Sequence, residues 1–336
     1  MTALGIYLLR PERLPRVRGE LQGAAAHVAV LEPLARLHRS SPEEQAMLAA
    51  RDALARLGLG PADFMPVVDD PEASQGNKDN DQAFAIVRVD GQVVPLLVQS
   101  TLHGFVTLLD EALTSGTDLE PAAWGRLRHA FSVLFDVLLD RPFHREGAEP
   151  LPPPRSTASG ERDALRRWTR GHYVFMSLVQ GMVVLLHGLR EGVETENLEF
   201  ARSALERVTA LMDGAEAALR FTGDYSYTAY EKSVRPTLMP PVAPPGMTGL
   251  RWRDHEYMVK VLSGLRPVFS RLPAELESAR EEFYQSVARA YDAHKTVCAS
   301  FVGTERTSLL MAERTEKSAV EILEHFKRVR LHLVKE

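Results

Sequence analysis

Two residues in the stretch AYDAHKTVCASFVG have side chains that could do chemistry together: His294 and Cys298. Cys298 is the only cysteine among 336 residues, and it follows the histidine by one helical turn. On a helix the Cβ atoms of such a pair lie about 5–6 Å apart. An imidazole can bind an iron while a thiol one turn away forms a thioether at the porphyrin edge. This pair could therefore hold a haem at two points.

The same pair also has an ordinary interpretation. Cysteine is among the most often buried residue types, and histidine is intermediate in burial. A buried histidine in a helix commonly satisfies a backbone carbonyl and binds nothing. The spacing of His294 and Cys298 alone therefore leaves packing and haem binding both open.

A helix predicted over 274–302 must position this pair. Apolar residues recur there at intervals of three and four, together with the histidine and the cysteine. They are Leu276, Ala279, Phe283, Val287, Tyr291, His294, Cys298 and Phe301. This spacing indicates one amphipathic stripe, so the imidazole and the thiol are predicted to face the core together.

A second histidine lies 39 residues earlier (294 − 255) in GLRWRDHEYMVKVLSGL. His255 stands near the start of another amphipathic helix, predicted over 252–265, and could approach an iron from the side opposite His294. The alternative is a surface histidine at a helix end, beside Asp254 and Glu256. The sequence has no HExxH, CxxC or carboxylate–histidine pattern, so it does not predict a structural zinc site.

Composition restricts the class of protein. With 45% hydrophobic and 25% charged residues and a net charge of -5, the chain has an ordinary soluble composition. The mildly acidic balance disfavours nucleic acid as a partner. The longest apolar run, 174–189, is too short to span a membrane and is interrupted by Gln180 and His187. No signal peptide is recognised. We therefore expect a cytoplasmic protein without a membrane partner.

The chain is predicted to be mainly α-helical. We expect a mostly helical N-terminal region over 1–145, a linker or loop over 146–161 and a helical domain over 162–336. Asp90-Gly91 separates two β-rich runs and predicts a small β-hairpin near 84–99. Helical periodicity is predicted over 17–58 in two segments, and over 117–141, 162–190, 194–220, 252–265, 274–302 and 305–330. A serine before Pro42 is the predicted N-cap of the second segment.

The C-terminal part resembles a known superfamily. The stretch YTAYEKSVRPTLMPPVAPPGMTGLRWRDHEYMVKVLSGLRP at 227–267, followed by ARAYDAH, resembles the haem-dependent indoleamine and tryptophan 2,3-dioxygenase superfamily. Within it, His255 with His294-x-x-x-Cys298 is most similar to the 3-methyltyrosine hydroxylases of saframycin-type pathways. The dioxygenases carry their proximal histidine about three turns later, where this chain has Glu305-Arg306. That difference disfavours plain dioxygenation.

The resemblance implies a role for each matching residue. His294 would be the proximal iron ligand, His255 the distal ligand and catalytic acid or base, and Cys298 the thioether to a covalently attached haem. Arg235 would bind the carboxylate of the substrate, although an ion pair with Glu231 one turn earlier is an equal alternative. Two further arginines, Arg251 and Arg253, could pair with the haem propionates or remain solvated at a helix end.

The resulting hypothesis is an oxidoreductase of natural-product (antibiotic) biosynthesis. It would hydroxylate the ring of 3-methyl-L-tyrosine to a catechol with hydrogen peroxide. The first alternative is another haem oxygenase of the superfamily, which acts on an indole or a tyrosine with dioxygen. The second is a non-enzymatic bis-histidine haem-binding or sensor protein. A homodimer is compatible with each of them.

Overall fold

The computed structural model describes residues 5–21, 27–37, 41–60, 62–143, 148–155, 162–244, 252–302 and 318–335. Over these ranges the protein is mainly helical with one small three-stranded sheet, which confirms the predicted fold class. The helices are α1 (Arg18–Leu21), α2 (Val28–Leu37), α3 (Glu43–Leu57), α4 (Gln75–Ala83), α5 (Val93–Ser115), α6 (Pro121–Leu138), α7 (Ala164–Glu194), α8 (Leu198–Thr222), α9 (Tyr227–Ala229), α10 (Arg253–Gly264), α11 (Arg266–Phe269), α12 (Glu277–Val302) and α13 (Ala319–Lys335). A π-helical turn, Tyr230–Val234, and a 3-10 turn, Arg235–Leu238, follow α9.

The sheet corrects the predicted hairpin. Its strands are β1 (Ile6–Leu9), β2 (Phe64–Pro66) and β3 (Ile86–Gly91), and β3 lies in the middle, parallel to β1 and antiparallel to β2. The first β-rich run is β3, but the second begins α5. Most of α5 is buried, and a short apolar run that is buried on several sides shows no period that separates strand from helix.

Long helices pack around α7 and α8, which contact each other along much of their length. Helices α6 and α12 lie against α8, and α5 lies against α7. The main cluster of buried apolar side chains extends along the chain from Leu9 to Val334. The predicted division of the chain at 146–161 is therefore not reflected in the core.

The described part of the predicted linker, 148–155, is docked on the helices. Leu151 donates a backbone hydrogen bond of 3.0 Å to the Pro121 carbonyl oxygen, and Thr117 donates one of 2.9 Å to that of Pro154. The segment passes so close to α6 that a Cβ atom on Gly125 would lie 2.0 Å from the backbone carbonyl oxygen of Glu149. This part of the linker thus belongs to the packed fold.

Two core helices have the length and hydropathy of membrane spans. They are α5 and α7, and 67% and 83% of their most apolar windows are buried inside the protein. The longest apolar run of the sequence, residues 174–189, lies in α7, and nearly all of its side chains are buried.

The other helix predictions are correct to within a few residues, with one error in capping. Helix α3 starts at Glu43 with Pro42 at the N-cap position, and no side chain caps it there, so the predicted serine cap is wrong. The last predicted helix is observed from Ala319, and residues 303–317 lie outside the described ranges.

Candidate functional site

Helix α12 carries His294 and Cys298 at the edge of the core. Its predicted stripe is buried at Phe283, Val287 and Phe301, but His294 and Cys298 are only partly buried. The sequence predicted that the two side chains face the core together, and in the structure both are covered in part. A sequence period gives the face of a helix but does not give how much of that face its neighbours cover.

Burial sets the protonation of both side chains. It lowers the pKa of His294 to about 4 and raises the pKa of the Cys298 thiol to about 11. At neutral pH the imidazole is therefore uncharged, which is the form that binds a metal, and the sulfur keeps its proton. Cys298 is a free cysteine.

His255 lies in the first turn of α10 and shares the surroundings of His294. Burial, with smaller contributions from the charge of Arg330 and from His294 when it is protonated, lowers the pKa of His255 to about 4. Neither imidazole hydrogen-bonds to another residue in the described part of the chain. The structure thus brings together the two histidines that the sequence singled out, each without a competing partner there.

Buried polar contacts fix the turn that carries His255. Asp254 is completely buried and accepts a hydrogen bond of 2.6 Å from Arg88 of β3 and one of 2.9 Å from Gln180 of α7. Burial alone would lower the pKa of Arg88, but the charges of Asp254 and Asp81 raise it above its ordinary value. The small sheet therefore anchors α10.

The neighbours of His255 bind the N-terminal region as well. Arg253 is buried and pairs with Asp70 and with Glu12, the latter at 2.9 Å, while Glu256 accepts a hydrogen bond of 3.0 Å from Asn77. The prediction that Arg253 pairs with a haem propionate is corrected by these contacts, because its guanidinium already holds two carboxylates of the protein.

Of the two other predicted arginines, only Arg235 lies in the described part of the chain. Arg235 pairs with Glu231 through contacts of 2.6 and 2.8 Å, so the alternative of an ion pair is the one observed. Arg251 lies outside the described residues, as do Glu305 and Arg306.

A third histidine was missed by the sequence analysis. His172 of α7 stacks on Trp252 with ring centroids 5.1 Å apart, and its Nδ1 atom lies 2.7 Å from the Trp168 carbonyl oxygen. A carbonyl oxygen only accepts, so Nδ1 carries the proton and Nε2 keeps a lone pair. Burial lowers its pKa to about 4, and the charge of His294 adds to this effect. The feature of the sequence that could have indicated His172 is its spacing of four residues from Trp168.

An aromatic cluster lies beside the end of α12. Tyr225 and Tyr230 stack on Phe301 with ring centroids 5.1 and 4.6 Å apart, so these aromatic residues pack against one another. Two polar atoms of this region, the Tyr225 hydroxyl and the Trp168 Nε1, are buried without a hydrogen-bond partner in the described ranges. Such orphaned donors point to a ligand or water that would satisfy them.

Known proteins similar to this chain identify the family. A family model described as SfmD 3-methyl-L-tyrosine peroxygenase matches residues 7–279, well over half of the chain. The chain belongs to the SfmD 3-methyl-L-tyrosine peroxygenase family. A 3-methyl-L-tyrosine peroxygenase of Streptomyces lavendulae is 40% identical over 333 residues, which cover 97% of this chain and 90% of that protein.

A solved structure of the same family has a similar fold. A crystal structure of reduced SfmD, soaked with sodium hydrosulfite, matches with a TM-score of 0.71 and 39% identity. The match covers 88% of this chain and 98% of that one. The family model itself ends before His294, so it includes His255 but not the His294–Cys298 pair.

The residues of this site fit a haem. Among the described residues, no group of three or more His, Cys, Asp or Glu side chains could hold a metal ion. Two neutral imidazoles close enough for a charge on His294 to affect the pKa of His255 suit an iron whose other ligands come from a porphyrin. The unpaired thiol of Cys298 suits attachment at the porphyrin edge, and the orphaned Tyr225 and Trp168 donors are consistent with a bound group nearby.

Proposed function

We propose that this chain is a haem-dependent peroxygenase that hydroxylates the ring of 3-methyl-L-tyrosine to a catechol. One C–H bond of the ring becomes C–OH, while hydrogen peroxide supplies the oxygen atom and is reduced to water. The observation that carries the proposal is the juxtaposition of His255 and His294, with Cys298 one turn on, in a member of the peroxygenase family.

Each residue has its own part in holding the haem. His294 binds the iron through a neutral imidazole, and Cys298 forms the single thioether. When bound, the haem supplies the site at which peroxide is activated. This resembles the His-x-x-x-Cys branch of the indoleamine and tryptophan dioxygenase superfamily, with Arg251 as a candidate partner for a propionate.

His255 would be the second histidine that holds the iron, and it would also serve as the proton-transfer residue. Because burial keeps His255 neutral, its imidazole could accept a proton from peroxide and could return that proton to the water that is formed. The buried contacts of Arg253 and Asp254 hold the backbone of this turn, so only the His255 side chain needs to move.

The amino acid substrate is a further part of the proposal. Its carboxylate would reach Arg235 only by competing with Glu231, which holds that guanidinium in the structure. The enzyme would act in natural-product biosynthesis in the cytoplasm. The buried positions of α5 and α7 are consistent with that location.

The covalent attachment is tested by staining a denaturing gel for haem. We expect wild-type protein to keep its haem, Cys298→Ala to release it, and Ser300→Ala, on the exposed side of the same helix, to behave as wild type. Complete release from wild type would exclude the thioether. His294→Ala should lose the haem spectrum altogether.

The oxidant is tested with purified protein and 3-methyl-L-tyrosine. Peroxide alone should give the catechol, detected by mass as the gain of one oxygen. Turnover that needs dioxygen and a reductant would instead identify another oxygenase of the superfamily. A haem spectrum that no small ligand or substrate changes would favour a non-enzymatic haem protein.

A further inference from the structure

Ion pairs of two lysines connect helix α13 to α12. Lys327 donates to both carboxylate oxygens of Asp292, at 2.8 and 2.7 Å, and Lys295 pairs with Glu324 and with Asp292. These ion pairs use the carboxylates that the two helices present to each other. They also fix the register in which the last turns of α13 pass the histidine-bearing part of α12.

Arg330 follows Lys327 by about one turn and has no such carboxylate. Its guanidinium hydrogen-bonds to the phenol oxygen of Tyr291, one turn before His294, and lies 4.6 Å from the centroid of the Phe326 ring. Within the described ranges, its Nε is buried without a hydrogen-bond partner and no carboxylate forms an ion pair with Arg330.

The position of Arg330 places this charge beside the proposed haem ligands. Helix α13 packs on both α10 and α12, and the charge of Arg330 lowers the pKa of His255. A guanidinium whose Nε is buried and unpaired is unfavourable, and its planar fork matches a carboxylate with two parallel hydrogen bonds. Of the three arginines that the sequence suggested for such a role, Arg235 and Arg253 are already paired with protein carboxylates, and Arg251 lies outside the described residues.

We propose that Arg330 binds the carboxylate of a molecule held between α10 and α12. This inference rests on the proposed function, which provides two molecules that carry a carboxylate. One is the α-carboxylate of the amino acid substrate, and the other is a haem propionate. Arg330 is a binding residue in the first case and a cofactor-positioning residue in the second.

The experiment uses the haem-loaded protein and two ligands. We would measure the dissociation constants of 3-methyl-L-tyrosine and of 3-methyltyramine, which lacks the carboxylate, for wild type, Arg330→Gln and Arg330→Lys. The haem midpoint potential of each protein is measured as well. Arg328→Gln is the matched control, because Arg328 is exposed on the same helix.

If Arg330 binds the substrate carboxylate, its replacement should weaken the binding of 3-methyl-L-tyrosine selectively. Arg330→Gln should weaken binding of 3-methyl-L-tyrosine by about 10- to 100-fold, the usual value of a charged hydrogen-bonded pair, and leave 3-methyltyramine binding unchanged. Arg330→Lys, which keeps the charge but loses the fork, should fall between the two. The haem midpoint potential should stay at the wild-type value.

If Arg330 binds a haem propionate instead, the midpoint potential should change and the two ligand affinities should not differ in their response. Removing the positive charge should lower the midpoint potential, because the oxidised haem is then favoured, and both ligands should be affected equally. If Arg330→Gln matches Arg328→Gln in both ligand affinities and in potential, the assignment of Arg330 is overturned while the proposed function stands. A wild-type protein that binds no haem would overturn both.

Discussion

At the scale of single residues, burial decides what His294 and Cys298 can do before a cofactor binds. The neutral imidazole has a lone pair available at neutral pH, and the thiol is almost wholly protonated because burial raises its pKa to about 11. A protonated thiol is a weak nucleophile toward ordinary electrophiles. Its attachment to a porphyrin therefore depends on being held beside the reacting carbon.

The thiol's raised pKa gives the first prediction. In cofactor-free protein, alkylation of Cys298 by iodoacetamide should be slow at pH 7–8, and its rate should still be rising above pH 9, because the thiolate forms only as the pH approaches about 11. Since Cys298 is the only cysteine, the mass of the labelled protein reports it directly. A rate that levels off near pH 9 would contradict the burial argument.

At the scale of elements, α10 depends on a buried charge network that joins it to the sheet. Arg88→Met would leave Asp254 and Asp81 buried without their shared cation, and breaking a buried pair in this way costs about 3–5 kcal/mol. The free energy of unfolding, measured in urea, should fall by that amount.

An exposed pair provides the control for the Arg88 variant. Arg56 pairs with Asp52 at 2.7 Å, but the two side chains are 64% and 58% exposed, so Arg56→Met should cost at most about 1 kcal/mol. Equal losses for the two variants would mean that the Arg88 network adds nothing beyond a surface ion pair.

The contact between α7 and α8 gives the third prediction. A Cβ atom on Gly192 would lie 2.7 Å from the backbone nitrogen of Ala201, which cannot move without shifting a helix. Gly192→Ala should therefore lower the free energy of unfolding by about 1–3 kcal/mol. In α1, a Cβ atom on Gly19 would have no atom of the described residues within 4 Å. Gly19→Ala should be neutral or stabilising, since alanine favours a helix, and a loss there would contradict this account.

The elements also show what sequence reasoning could reach. The period of apolar residues predicted α7, α8, α10 and α12, because each packs one face against the core over several turns. It failed at α5, whose apolar residues are buried on several sides and resemble a strand over a short window.

In the candidate site too, local sequence patterns predicted some residues and missed others. His255, His294 and Cys298 were found because they share local sequence patterns, whereas Arg253 was misassigned because its carboxylate partners lie more than 180 residues away. Local sequence contains no signal for such pairing. Arg330 was missed for that reason too, since only the packing of α13 brings it to the site. His172 was missed although its spacing from Trp168 in the sequence was a local signal.

At the scale of the whole molecule, four neutral histidines tie the stability of the fold to pH. His172, His187, His255 and His294 all have a pKa lowered to about 4 by burial, against 6.5 for the free side chain. Between these values the unfolded chain binds more protons than the folded one, so acid favours unfolding. The stabilisation is complete above about pH 6.5 and is lost as the pH falls toward 4.

His187 isolates this effect from haem binding. It is buried in α7, its Nε2 has no partner in the described ranges, and nothing assigns it to the iron. Between pH 6.5 and 4, the free energy of unfolding should fall less steeply in His187→Leu than in wild type, by up to about 1.4 kcal/mol per pH unit. His325→Leu, at an exposed position of α13, should keep the wild-type slope. Identical slopes for wild type and His187→Leu in urea unfolding would show that His187 is protonated as easily in the fold as in water.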